Sequence, residues 1–185
     1  AEVLEVRAAT GLDATFVART IASDRQHLTA TLRQAALHRG ASFVEVLQNC
    51  VIFNDGAFDG LKDTTDGARI LRMEAGQPLI AGERCVVRDP LHGLTVVPTS
   101  AVDESKILKH DPKAHNPGIA FALASIEGAD NRDFLPIGVF REIVRPAYDD
   151  EVREQIRTYV DAAGGLPTDQ DIASLLAGRN TWTVS

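Results

Sequence analysis

Cys50 is the residue whose type and position best suit it for chemistry. It follows residues 42–47 (SFVEVL), which have the composition of a short buried strand. A thiolate beyond the carboxyl end of a strand can act as a nucleophile or bind a metal ion or an iron–sulfur cluster. The alternative is packing, because cysteine commonly serves as a small buried hydrophobic residue. Spacing alone favours packing, since no histidine partner and no second cysteine lies near Cys50 in the sequence.

Three other groups of residues fail as sites of chemistry. Cys85 begins a predicted strand without a supporting polar group, so we interpret it as core packing. The acidic residues 55–66 have Ala57 where a calcium-binding loop requires a ligand. The third group is His110, Asp111 and His115. Its spacing matches no zinc signature, so a polar turn is predicted there. The sequence also has no G-x-G-x-x-G segment, no P-loop and no G-x-S-x-G segment.

The segment before Cys50 is predicted to fold as a β-α-β unit. Residues 14–18 form the first strand and residues 42–47 the second. The helix between them begins at Ser23, which has the capping-box spacing to Gln26. Parallel strands bring their carboxyl ends to one edge of the sheet, where ligands bind in open α/β folds. We therefore expect five residues to share that edge: Arg19, Thr20, Gln48, Asn49 and Cys50.

The rest of the chain alternates short strands and helices. We predict strands at residues 68–73, 106–108 and 136–144, and a hairpin of residues 85–88 and 94–97. One helix follows Pro117, and two more begin at Asp149 or Asp150 and at Thr168. The apolar faces of the last two helices are expected to be buried: Val152, Ile156, Tyr159 and Val160 in the first, and Ile172, Leu175 and Leu176 in the second.

These elements predict an α/β fold in two parts. Residues 1–60 form part of a parallel-sheet domain, and residues 61–185 form a smaller mixed α/β region that wraps it. The strand at residues 14–18 or its neighbour is expected to leave an open edge or an apolar face. Through that surface the chain would form an oligomer or pair with another chain.

Composition excludes several classes of partner. The chain has 185 residues, of which 44% are hydrophobic and 24% are charged, as in ordinary globular proteins. The net charge of −7 argues against binding to nucleic acid, and no polybasic segment suits an anionic membrane. No apolar run approaches the roughly 20 residues that span a bilayer. Only two cysteines occur, outside any C-x-x-C pair, which favours a reducing compartment, and we predict the cytoplasm.

Several segments together resemble one enzyme family. They are residues 14–20 (ATFVART), residues 24–59, which contain HRGASFVEVLQNCVIFNDG, and residues 72–79 (RMEAGQPL). Later pieces keep the family's order, namely AFALA, PIGVFRE, RPAYDD and LLAGRNTW. This family is the β subunit of 2-oxoacid:ferredoxin oxidoreductases, and the sequence is most similar to the actinobacterial type assigned to 2-oxoglutarate. The resemblance covers residues 12–184.

The resemblance implies a fold, an activity and a set of cofactors. Residues 1–60 would be the carboxyl-terminal part of a thiamine-diphosphate-binding domain, and residues 61–185 the carboxyl-terminal region of the β subunit. Enzymes of this family decarboxylate a 2-oxoacid on thiamine diphosphate with Mg²⁺ and deliver the acyl group to coenzyme A. They pass electrons through an iron–sulfur cluster to ferredoxin. One cysteine of the [4Fe–4S] cluster lies in the loop after this strand, and Cys50 matches it.

The sequence also departs from the family pattern. The other cluster cysteines, and the G-D-G segment that holds Mg²⁺ and diphosphate, belong to an amino-terminal half that this sequence does not contain. We therefore expect this chain to be the carboxyl-terminal half of a β subunit. By itself it is expected to be inactive and to bind no cofactor. Its partners would be an α subunit, the rest of the β subunit and ferredoxin. Because ferredoxins are usually acidic, as this chain is, ferredoxin is expected to dock elsewhere in the complex. The rival hypothesis is a noncatalytic α/β interaction module.

Overall fold

The computed structural model describes residues 5–53, 55–56, 69–90, 93–126, 134–179 and 182. Its helices are α1 (Glu5–Gly11), α2 (Arg25–Leu37), α3 (Gly118–Ser125), α4 (Tyr148–Ala162) and α5 (Asp169–Ala177). Its strands are β1 (Phe16–Ile21), β2 (Ser42–Leu47), β3 (Ile70–Met73), β4 (Ile80–Ala81), β5 (Arg84–Asp89), β6 (Gly93–Pro98) and β7 (Leu135–Glu142). The predicted α/β class is confirmed. None of the described helices is both long and apolar enough to cross a membrane.

The main sheet has four strands in the order β2-β1-β7-β3. β1 pairs in parallel with β2, and β7 pairs in parallel with β3, whereas β1 and β7 are antiparallel. Two of the three strand pairs are therefore parallel. The connection from β1 through α2 to β2 confirms the predicted β-α-β unit.

Strands from both sides of residue 60 share this sheet. The predicted division of the chain into residues 1–60 and 61–185 describes domains of a complete subunit, and it stays a prediction.

β1 is a central strand, and all six of its residues are buried. It continues to Ile21, three residues beyond the predicted end at residue 18. The register explains the extension, because Ile21 still pairs with Leu47 of β2. The predicted strand is therefore too short. The apolar run ATFVA ends at residue 18, and an apolar pattern cannot indicate that Arg19 is buried.

Helix α2 begins with a different cap from the one predicted. Asp24, not Ser23, is the N-cap residue, and its carboxylate accepts a hydrogen bond from the backbone N–H of His27 at 3.0 Å. Ser23 falls in the turn that leaves β1, because the strand extends to Ile21. The predicted capping box with Gln26 is therefore wrong by one position.

A second, antiparallel sheet contains β4, β5 and β6. The predicted hairpin is confirmed, with β5 and β6 paired from Arg84–Pro98 to Asp89–Gly93. The predicted strand at residues 106–108 is wrong, because Glu104–Lys106 form a 3₁₀ turn. Only Ile107 then pairs with Val87, in an isolated bridge. The predicted helix after Pro117 is confirmed as α3.

Residues Ala1–Arg145 form one compact unit with a main hydrophobic core and two smaller hydrophobic clusters. This core joins the helices α1 and α3 to strands of both sheets, and its fully buried members include Val6, Val17, Leu71, Val86, Leu123 and Phe134. Gly138 lets β7 lie close to β3, because it has φ of +118° and a Cβ there would lie 2.8 Å from the carbonyl oxygen of Met73.

Arg141 on β7 anchors the loops around β1. Its side chain is 1% exposed and donates to the carbonyl oxygens of Ala14, Ala114 and His115 at 2.9–3.2 Å. It also donates to the carboxylate of Asp13 at 2.5 Å. Asp13 has φ of +62°, a conformation that Asp tolerates better than most residues. The guanidinium therefore holds segments that are far apart in sequence.

Residues Pro146–Ser185 form the second compact unit. Helix α4 begins at Tyr148, with Ala147 as its N-cap residue, so the predicted cap at Asp149 or Asp150 is wrong. Both carboxylates lie in the first turn of the helix, where the helix dipole favours negative charge. The predicted start of α5 is confirmed, since Thr168 and Asp171 form a reciprocal capping box.

The apolar faces predicted to be buried in this unit are not. Ile156, Tyr159 and Leu175 are 57%, 76% and 82% exposed, and none of residues 146–179 is buried. The reason is geometric, because a single helix cannot cover its own apolar stripe.

Candidate functional site

The carboxyl ends of β1 and β2 meet at one edge of the main sheet, as predicted. The backbone N–H of Ala22 donates to the carbonyl of Leu47 at 2.9 Å, so the two strands end side by side. Residues 48–50 follow β2 directly at this edge. Arg19 and Thr20, however, lie within β1 and are fully buried, so the prediction that they follow the strand is wrong.

Arg19 binds other elements of the sheet rather than facing outward. Its Nε donates to Glu45 on β2 at 2.6 Å, and its Nη1 donates to the carbonyl of Pro136 at 3.4 Å. Its guanidinium carbon lies 5.4 Å from the ring centre of Phe140, within the range of a cation–π contact. Arg19 therefore links β1 to β2 and β7, and this arrangement gives it a structural role.

Cys50 lies in a loop that its neighbour Asn49 holds in place. The side-chain amide of Asn49 donates to Asp55 Oδ1 at 2.8 Å, and its oxygen accepts from the N–H of Gly56 at 2.9 Å. The Cys50 side chain is half-buried. A half-buried thiol beyond a strand end is a candidate ligand of a metal ion or an iron–sulfur cluster.

The three residues after Cys50 form an exposed apolar triplet. Val51, Ile52 and Phe53 are 74%, 80% and 89% exposed. Three consecutive large apolar side chains in water are unfavourable, and such surfaces usually mark an interface. The loop therefore combines a thiol with an apolar surface.

A polar cluster near the start of α2 was not found from the sequence. Thr20 Oγ1 is 2.7 Å from His27 Nδ1, and Asp24 forms an ion pair with Arg72 of β3 at 2.7 Å. Burial lowers the pKa of His27, and the positive charge of Arg72 lowers it further. His27 is therefore neutral near pH 7. The spacing of Asp24 and His27 was visible in the sequence, but the contact with Arg72 depends on the sheet.

Burial works against the charged form of Asp24, yet its pKa is lowered. The backbone N–H of His27 and the guanidinium of Arg72 both stabilise the carboxylate and outweigh the burial. Asp24 therefore remains charged and fixes the amino-terminal end of α2.

The other sequence candidates have structural positions. Among the described residues, no group of three or more His, Cys, Asp or Glu side chains is arranged to hold a metal ion. His110 Nε2 is 2.7 Å from the carbonyl oxygen of Val139, and Asp111 accepts from the N–H of Lys113, so the prediction of a polar turn is confirmed. Most of the acidic residues 55–66 lie outside the described residues.

Cys85 is fully buried beside Val87 and Ile107, which confirms its predicted packing role. Burial raises the pKa of its thiol. The two cysteines therefore differ in environment, since Cys85 lies in an apolar cluster and Cys50 lies at the sheet edge.

Comparisons with known proteins agree with the resemblance seen in the sequence. No protein-family model matches the chain. The chain is 44% identical, over 183 residues and 97% of its length, to 2-oxoglutarate oxidoreductase subunit KorB of Mycobacterium tuberculosis. It spans 48% of the length of that relative. The predicted resemblance to the 2-oxoglutarate type of this oxidoreductase family is confirmed.

A solved structure shares the fold. The chain is similar to the 2-oxoglutarate:ferredoxin oxidoreductase from Magnetococcus marinus, solved with 2-oxoglutarate, coenzyme A and succinyl-CoA bound. The TM-score is 0.56 at 18% identity, and the match covers 94% of this chain and 44% of the solved chain. At this identity the likeness shows the fold alone, and it confirms the α/β class.

Proposed function

We propose that this chain is part of the β subunit of a 2-oxoacid:ferredoxin oxidoreductase that acts on 2-oxoglutarate. The observation that carries the proposal is the 44% identity to subunit KorB, which extends over 97% of the chain. The aligned region covers both the sheet edge and the Cys50 loop. Because the chain spans about half of that relative, the activity would belong to a larger assembly.

In that assembly the enzyme would convert 2-oxoglutarate and coenzyme A to an acyl-CoA and carbon dioxide, with two electrons passing to ferredoxin. The partners of the chain would be an α subunit, the remainder of the β subunit and ferredoxin, all in the cytoplasm. The chain by itself would be inactive.

Cys50 is proposed as one ligand of a [4Fe–4S] cluster. Two features support this role, namely a half-buried thiol beyond a strand end and a loop fixed by the hydrogen bonds of Asn49. A bound cluster would supply one-electron transfer. Cys50 would hold one iron atom as a thiolate. The other three ligands would come from outside the described residues, because no group of three metal-binding side chains is found among those residues.

The apolar triplet (Val51, Ile52 and Phe53) would limit access of water to such a cluster. Its side chains are exposed here and would be covered by the remainder of the enzyme. A hydrophobic shell around a cluster affects solvent access and reduction potential.

Thiamine diphosphate and Mg²⁺ fit this chain poorly. The sequence has no G-D-G segment, and the described residues contain no group of three or more His, Cys, Asp or Glu side chains that could hold a metal ion. We propose that both are held by residues outside this chain.

The proposal is tested with the complete subunit, purified without oxygen together with its partner subunits. Cys50→Ala is compared with Cys85→Ala, the same change at a cysteine in the core. We expect Cys50→Ala to lose iron, visible absorption and 2-oxoglutarate-dependent ferredoxin reduction. Cys85→Ala should keep its iron content, because Cys85 packs between Val87 and Ile107. Circular dichroism checks that both variants remain folded.

Two outcomes would contradict parts of the proposal. A colourless wild-type complex that reduces no ferredoxin would favour the noncatalytic interaction module. A Cys50→Ala enzyme with the full iron content would exclude Cys50 as a ligand while leaving the family assignment intact. Comparing 2-oxoglutarate with pyruvate as the substrate tests the proposed 2-oxoacid.

A further inference from the structure

The turn that follows Cys50 is built from residues that do not favour a turn. It consists of Val51, Ile52 and Phe53. Turns are usually formed by glycine, proline, asparagine, aspartate or serine, whereas valine and isoleucine are β-branched and suit strands. The three side chains are also exposed, so they gain no burial in this conformation. Contacts made by residues outside the turn must therefore hold it.

Asn49 supplies such contacts with both polar atoms of its side chain. Its Nδ2 donates to Oδ1 of Asp55 at 2.8 Å, and its Oδ1 accepts from the N–H of Gly56 at 2.9 Å. Gly56 has φ of +75°, a conformation that glycine adopts without steric cost. One side chain thus joins the two ends of the loop. We call Asn49, Asp55 and Gly56 the Asn49 clasp.

The clasp acts on the residue that follows Asn49. The chain is already fixed at Leu47, whose carbonyl accepts from the N–H of Ala22 at 2.9 Å. The clasp fixes it again at Asn49, and the Cα of Cys50 lies one peptide unit further, at about 3.8 Å. A ligand that is held in place before its metal arrives loses less conformational freedom on binding. The clasp therefore prepares Cys50 to act as a ligand.

We propose that Asn49 is a positioning residue for Cys50, and that its clasp holds the loop so that the Cys50 thiolate can keep its iron atom. This inference rests on the proposed function. Asn49 binds no iron and acts only through the loop. Groups that orient metal ligands in this way commonly change metal affinity by about 10- to 100-fold.

The clasp is placed to act locally rather than on the stability of the whole fold. Asn49 and Asp55 belong to none of the hydrophobic clusters, and the hydrogen bond between them is exposed to water. Surface substitutions of this kind usually change stability little. A role in positioning Cys50 and a role in folding therefore predict different measurements.

Iron release to a chelator tests the proposal in the complete subunit, purified without oxygen together with its partner subunits. Asn49→Ala removes both contacts without changing the net charge, and it should release iron at least about tenfold faster than the wild type. Asn116→Ala is the matched control, because Asn116 also accepts from a glycine N–H, that of Gly118 at 2.8 Å. The control should release iron at the wild-type rate, and both variants should keep the wild-type thermal midpoint.

An exchange of the two side chains in the clasp tests its geometry. Asn49→Asp places a second carboxylate beside Asp55, so it should also speed iron release. The double variant Asn49→Asp with Asp55→Asn should restore the slow rate. In that variant the carboxylate at position 49 accepts both from the N–H of Gly56 and from the amide at position 55.

The reduction potential of the cluster provides a second measurement. Water admitted by an open loop stabilises the more negative, reduced form, so Asn49→Ala should raise the potential and the double variant should return it to the wild-type value.

Three outcomes would overturn the positioning role while leaving the proposed function intact, provided that the wild type holds iron. They are wild-type iron release by Asn49→Ala, a thermal midpoint lowered in Asn49→Ala, and a double variant as defective as Asn49→Asp. A wild-type complex that holds no iron and reduces no ferredoxin would instead refute the proposed function, and the role of Asn49 with it.

Discussion

The two compact units of the chain differ in what covers their apolar side chains. In residues Ala1–Arg145, the apolar residues of β1, β3 and β7 are mostly buried in hydrophobic clusters that join several elements. In residues Pro146–Ser185, helices α4 and α5 have clear apolar stripes, yet Ile156, Leu175 and Leu176 are more than half exposed. The difference teaches that a periodic stripe identifies an apolar face but not the surface that covers it.

The contrast has an energetic consequence. Burial of an apolar side chain stabilises a fold by about 1.5–3 kcal/mol, and an exposed side chain contributes little of this. Stability should therefore depend strongly on the first unit, whereas the helices of the second should depend on local terms such as the capping box of Thr168 and Asp171.

The largest effect is expected at Arg141 in the first unit. Arg141→Met should lower the free energy of unfolding by about 3–5 kcal/mol, because three carbonyl groups and the Asp13 carboxylate lose a charged donor whose side chain is buried. Urea denaturation measures the change. Arg145→Met is the control, since Arg145 binds the same carboxylate of Asp13 at 2.6 Å but is 43% exposed. The control should change stability little, because solvent screens an exposed ion pair. Equal losses in the two variants would show that the contact with Asp13 is decisive, and not the hydrogen bonds of Arg141 to the three carbonyl groups.

The same substitution in each unit tests the contrast itself. Ile137 on β7 is fully buried, whereas Ile156 on α4 is 57% exposed. Ile137→Ala should cost about 2–5 kcal/mol through lost burial and the cavity left behind. Ile156→Ala should stay within about 0.5 kcal/mol, as surface substitutions do. Thermal or urea unfolding of the 185-residue chain gives both values. A large loss for Ile156→Ala would mean that α4 is buried against another surface in solution.

The smallest predicted effect is a pH dependence that arises in the first unit. Burial lowers the pKa of His110 below its ordinary value of 6.5, although the carbonyl of Val139 and the charge of Asp111 act to raise it. Burial also lowers the pKa of His27. Both histidines are therefore neutral in the folded chain at pH values where the unfolded chain binds a proton. Stability should be unaffected above about pH 7.5 and should fall as the pH drops through 6.5, by at most about 1.4 kcal/mol per pH unit for each histidine.

Urea midpoints between about pH 7.5 and pH 5.5 measure this dependence. His110→Gln is the informative variant, because the Gln amide keeps a donor for the carbonyl of Val139 but cannot titrate. It should remove part of the slope and leave the part that comes from His27. The carboxylates with lowered pKa, including Asp13 and Asp24, contribute stability that is lost only on acidification below their ordinary value of 3.8, outside this range. A slope unchanged by His110→Gln would refute the assignment.

Much of the fold could be predicted from short segments of sequence. The β-α-β unit, the hairpin of β5 and β6, and the capping box of Thr168 depend on residues within a few positions of each other. The N-cap of α2 was misplaced because the end of β1 is set by its pairing with β2 rather than by its own apolar run. For the candidate site, the position of Cys50 beyond β2 was predictable, because it needs only the strand and the loop that follows. The ion pair of Asp24 with Arg72 was not, since β3 and α2 meet only in the folded chain.

The sequence by itself determined most of the strands and helices, and it placed Cys50 after β2, because hydrophobic periodicity and capping are local properties. Only the tertiary structure decided that Arg19 is buried against Glu45, that Arg141 reaches Asp13 across 128 positions of sequence, and that β2 stands first among the described strands of the main sheet. These features depend on which distant segments pack together, and on which surfaces remain uncovered when they do. Neither is encoded in the spacing of neighbouring residues.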